Sequence, residues 1–300
     1  MLAELIQVLI AAATAGSMYA MVAVGVTLIY SATGIINFAQ GEFVMLSGMT
    51  MVSLYGQQHW PLALAIAVAL AVVVLYGAVL MAITTRFGHG ASLISVLIIT
   101  IGTSIATSGI AARVWGTDTH RFEPFSGDTP LWLLGASVTP QALWIMGVVC
   151  ISIVLVEWFM RQTLLGRAMR ACASDRQAAM LMGIPVRNTV LLSFILAGLL
   201  GGIGGIVATP LTTIDYNGGM LLAIKGFSAA MLGGMGNVTG AVLGALLIAL
   251  LEAASVSYGS SALKELSTFT IIILVLLLLP HGLLGGRAEI GLQHEDHTAV

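Results

Sequence analysis

Charge is what this chain has least of. Asp, Glu, Lys and Arg make up 8% of its 300 residues, where a soluble domain carries about 25%. So few charges cannot solvate a globular surface, and the 58% that is hydrophobic must meet lipid instead. The net charge of −2 gives no electrostatic support for nucleic-acid binding. Cysteine is nearly missing too. Cys150 and Cys172 each sit in or beside an apolar segment, which argues against a disulfide framework or a zinc site. Gly-Lys occurs nowhere, so a phosphate-binding P-loop of the usual kind is excluded. His59, His89, His120 and His281 stand singly in or near loops, without the paired helical spacing of a catalytic metal site. No Ser, His and acid set stands out either, so neither a metal nor an enzymatic function is expected.

What is present is a series of long apolar runs. A spanning helix needs about 20 predominantly apolar residues. Candidates are 5–30, 35–56, 62–85, 92–112, 139–160, 189–209, 219–235, 238–257 and 266–284. None alternates as a barrel strand would, and helices satisfy their own backbone groups in hydrocarbon. The expected fold is all-α, a polytopic transmembrane helical bundle of eight or nine membrane segments. The opening MLAELIQVLI has no basic region and no clear cleavage site, and reads as a retained first helix. Segment 35–56 carries Asn37, Gln40 and Glu42, and segment 219–235 carries Lys225 and several glycines. Either is expected to be broken or re-entrant.

The scarce positive charge is unevenly spread. Five arginines fall within RQTLLGRAMRACASDRQAAMLMGIPVR, residues 161–187. If all nine segments cross, these share a side with Arg86 and Arg287, while Arg113, Arg121 and Lys264 lie opposite. Basic residues favour the cytoplasm, which puts the N-terminus outside and the C-terminal tail inside. The arginine segment reads as a short helix, with Arg167, Arg170, Ser174 and Gln177 on one stripe. Gly183 and Pro185 end it.

GRAMRACASDRQAAMLMGI resembles the cytoplasmic loop of permease subunits in ABC importers of the branched-chain amino acid type. GVTLIYSATGIINFAQGEFVMLSG (25–48) and KGFSAAMLGGMGNVTGAVLGALLIALLEA (225–253) resemble the same family. LIITIGTSI and LVLLLLPHGLLG also fit, so the resemblance covers most of the chain in order. Gln40 stands where the family usually has His, and TTRFGHGASLIS lacks an Arg-Pro motif often seen there. The resemblance implies the ABC importer permease fold: one transmembrane permease domain over 1–300, holding a cytoplasmic coupling loop at 161–188 and a cytoplasmic tail at 286–300. It implies an ATPase-docking role for Gly166, Arg167, Arg170, Ala171, Asp175, Ala178, Ala179 and Gly183. It also implies partners: a second permease subunit (a related chain or a second copy), cytoplasmic ATPase subunits that use ATP and Mg, and a periplasmic substrate-binding protein. No cofactor is expected on this chain.

Charges in mid-membrane cost roughly 2.5–3.5 kcal/mol even on permissive scales, and so suggest function. Asn37, Phe38, Gln40, Glu42, Lys225 and Glu252 are the candidates for a translocation pathway. Structural bonding between helices is the competing reading for the polar ones, and core packing for Phe38. Glu42 and Glu252 are the candidate partners for Lys225, and the sequence carries no distance that selects one or requires a pair. Gly198 with Gly202, and Gly240 with Gly244, have the small-xxx-small spacing of close helix packing. The expected function is an inner-membrane permease for branched-chain or related amino acids. Urea, short amides and small organic acids remain open as substrates. An ion-gradient transporter using Glu42 and Glu252 is the alternative mechanism.

Overall fold

The computed structural model describes residues 2–88, 92–133 and 135–258, with Thr270, Ile273, Leu277 and 282–284 besides. Helix α1 (Leu2–Thr33) is followed by α2 (Gln40–Met51), which runs into a π-helical turn, Val52–Gln57. Next come α3 (Leu62–Phe87) and α4 (Leu93–Trp115), then a hairpin of β1 (Leu131–Leu133) and β2 (Ala136–Val138). The chain continues through α5 (Pro140–Gln162), α6 (Leu164–Ser174), α7 (Arg176–Leu181), α8 (Val186–Ala208), α9 (Gly218–Gly233) and α10 (Val238–Tyr258). Among the described residues β1 and β2 pair antiparallel, Trp132 opposite Ser137.

Six helices (α1, α3, α4, α5, α8 and α10) are long and apolar enough to cross a membrane. This is a multi-pass membrane protein. The eight or nine spans expected are not reached among the described residues, for identifiable reasons. Segment 35–56 is broken. Gly34 leaves α1 with φ +69°, a backbone that glycine adopts without strain. Thr33 Oγ1 then accepts from the Ile35 amide at 3.1 Å, and Asn37 Oδ1 accepts from the Ala39 amide at 3.0 Å. Segment 219–235 forms the 16 residues of α9, about 24 Å long and short of a full hydrocarbon core. Most of 266–284, and all of 286–300, lie outside the described residues.

Helix α1 is the axis of the bundle. Residues 19–29 are buried without interruption, as a helix surrounded by others must be. It packs against α10, α8 and α9. Helices α9 and α10 meet where Gly233 and Gly240 face each other's carbonyls, leaving no room for a Cβ on either. Gly244 lies as tightly against Ala229. A Cβ on Gly198 would sit 2.9 Å from the Phe43 ring, and one on Gly202 2.7 Å from Val73.

The bundle has two distinct ends. At one, Gln7 exchanges hydrogen bonds with Ser137 on the hairpin, and His120 pairs with Ile214 through backbone bonds of 2.8 Å. At the other, Thr33 and Gly34 border a cleft with Arg161, Arg170, Arg176 and Leu284. Arg86 lines a second depression there beside Arg176 and Arg187. Arg121 belongs to the first end, beside Tyr55 and Trp60.

Candidate functional site

The first polar centre joins α1, α9 and α10. Lys225 Nζ lies 2.8 Å from Glu252 Oε1, with both side chains buried. Tyr19 Oη donates to Glu252 Oε2 at 2.7 Å and accepts from Lys225 Nζ at 3.2 Å. A buried charge without a partner is strongly destabilising, and the pair with its added hydrogen bonds offsets part of that cost. Of the two candidate partners for Lys225, Glu252 is the one it meets.

Glu42 belongs to a second centre. Its Oε1 accepts from Ser104 Oγ at 2.6 Å and Ser108 Oγ at 3.3 Å, both on α4. Its Oε2 has no hydrogen-bond partner among the described residues. Gly219 at the start of α9 leaves room for this carboxyl, since a Cβ there would lie 2.9 Å from it. Gln40 Nε2 donates to the Ala197 carbonyl at 3.0 Å and fills the space beside Gly25. The Phe38 amide donates to Thr100 Oγ1 at 3.4 Å, and the Phe38 ring lies 5.2 Å from that of Phe227. Thr100, Ser104 and Ser108 therefore form one polar stripe on α4, which the sequence reading missed. Their spacing of four residues was the available signal.

The arginine segment folds differently from the single helix expected. It divides at Asp175, whose backbone is extended (φ −152°, ψ 112°). Asp175 Oδ1 accepts from the amides of Gln177 and Ala178 at 2.8 and 2.9 Å. An aspartate at this position caps a new helix and ends the old one. The proposed stripe is thus split, with Gln177 on α7 and the rest on α6. Gly183, at φ +80°, closes α7, and Pro185 precedes α8.

Arg167, Arg170 and Ala178 are exposed, Ala171 is partly so, and Gly166 and Ala179 are buried. Gly166 lets α6 pass close over Phe159 and Met160 at the end of α5. Beside the arginines stand apolar side chains in the open: Leu181 is 89% exposed and Met182 84%. These two also went unremarked in the sequence, where they read as helix formers.

The family described as the permease component of branched-chain amino acid transport systems matches residues 8–279. The chain belongs to this family. The high-affinity branched-chain amino acid permease protein LivH of Escherichia coli is 31% identical over 295 residues, covering 92% of this chain and 94% of that one. BraD of Pseudomonas aeruginosa, of the same description, is 30% identical, covering 95% of this chain and 97% of that one. The ribose import permease protein RbsC of Escherichia coli is 28% identical, covering 87% and 82%.

Proposed function

We propose that this permease forms the translocation pathway of an ATP-driven importer for branched-chain or related amino acids in a bacterial inner membrane. The observation that carries the reading is family membership over 8–279, joined to a polar surface helix pair that ends in exposed Leu181 and Met182. Apolar side chains exposed beside arginines mark a docking surface for protein. The partner it fits is a cytoplasmic ATPase that binds ATP and Mg, since this chain has no P-loop of its own. The end bearing Arg86 and the arginine segment then faces the cytoplasm, with the N-terminus outside. A second permease subunit and a periplasmic binding protein complete the assembly, and substrate choice resides largely in the latter.

ATP binding closes the ATPase pair, and α6 and α7 pass that motion through α5 and α8 to the bundle. Of the candidate pathway residues, Lys225 borders a cavity beside α1. Glu42, Gln40 and Asn37 are enclosed between helices. The ribose permease among the relatives keeps other small polar solutes open as substrates. The Glu42 oxygen that has no hydrogen-bond partner among the described residues is what favours the ion-gradient alternative. Uptake into sealed vesicles decides between them. Transport only with the ATPase subunits and ATP supports the importer. Transport by this chain alone under an ion gradient refutes it.

A further inference from the structure

A cavity of about 420 Å³ opens between α1, α2, α8 and α9, within the range of small-molecule sites. Its mouth holds exposed Thr212, Thr213 and Leu221 with half-exposed Asp215, and its interior is walled by Val22, Val44 and Ala208. Lys225 and Tyr19 are buried at its inner limit. Lys225 is the eighth of the 16 residues of α9, half-way along a helix buried in the bundle, and buried ionisable groups of this kind mark substrate pathways.

An ammonium has three N–H donors. Among the described residues Glu252 and Tyr19 take two of them, which leaves one for a ligand reaching the cavity floor. We propose that this cavity is a substrate site, in which the carboxylate of a small solute meets the third donor of Lys225. Its apolar part lies against Val22, Val44 and Leu222. The carboxylate is the group read here.

This rests on the permease reading above, and the test separates the two. In the full chain in lipid nanodiscs, carrying Cys150→Ser, Thr212→Cys places a thiol at the cavity mouth. Its labelling by a water-soluble thiosulfonate is timed with leucine, isocaproate (carboxylate only) or leucinol (no carboxylate). Leucine and isocaproate are expected to slow labelling, by about tenfold at ten times the dissociation constant, and leucinol to leave it unchanged. Lys225→Met is expected to abolish the protection. Equal protection by leucinol, undiminished protection in Lys225→Met, or none by any of the three at millimolar concentration overturns the proposal. The leucinol comparison needs no change at Lys225, so it holds even if that variant misfolds. ATP-driven leucine uptake by the complete assembly is measured in parallel. Uptake without protection removes the site and keeps the importer. Protection without uptake removes leucine import and keeps the carboxylate site.

Discussion

Lys225 and Glu252 stand 2.8 Å apart on neighbouring helices, with the Tyr19 hydroxyl bonded to both. The three close a ring of charge and hydrogen bonds that ties α9 and α10 to α1 inside an apolar bundle. Removing one member strands the others, and removing both charges does not.

Lys225→Met leaves the Glu252 carboxylate buried without its cation, at a cost of about 3–5 kcal/mol. Lys225→Met with Glu252→Gln is expected to regain most of that. Thermal unfolding of the detergent-solubilised chain, run as a double-mutant cycle, measures the recovery. Losses that simply add would show that the pair carries no coupling.

Ser104 approaches Glu42 more closely than Ser108 does, at 2.6 against 3.3 Å. Hydrogen bonds to charged groups contribute about 1.5–3 kcal/mol. Ser104→Ala is therefore expected to destabilise the chain within that range, and Ser108→Ala by less. The same unfolding measurement ranks them.

Gly240→Ala forces a methyl into the Gly233 carbonyl. Overpacking of this kind costs about 1–3 kcal/mol. Gly109, on α4, has open space where a Cβ would go. Gly109→Ala is expected to be neutral or to stabilise the isolated chain by about 0.5–1 kcal/mol, through the conformational freedom that glycine loses on folding. Comparing the two midpoints separates packing from helix propensity.

The sequence showed the membrane class, the long spans and the polar residues inside them, because each depends on local composition. Partner choice was not local. Lys225 had two candidate acids, and only the packing of α9 on α10 selects Glu252. The stripe of Thr100, Ser104 and Ser108 was missed because hydroxyls bonded along a helix look like ordinary spacers until a carboxyl faces them. Asp175 lies inside an Ala- and Met-rich run that reads as one helix, although an aspartate accepting two successive amides is a start signal. Helix α9 looked like a doubtful span and is a short helix. Its length follows from the turn ahead of it, where Asp215 Oδ1 accepts from the Asn217 amide at 2.9 Å, and from Gly234, at φ +103°, behind it.

Burial also changes which variants probe the arginine-bearing helices. Ala179 is only 4% exposed, so Ala179→Asp buries a charge and is expected to damage folding itself. Arg170 is exposed, and Arg170→Glu is expected to abolish ATP-driven uptake while membrane insertion stays normal. Quantifying the inserted chain in the same vesicles checks that distinction.

Leu181, 89% exposed at the end of α7, gives the most direct test of the importer. The measurement is co-purification of the ATPase subunits with Leu181→Asp, alongside ATP-driven uptake. Both are expected to be lost while the unfolding midpoint of the chain is unchanged. Full co-purification with full uptake would contradict the importer reading.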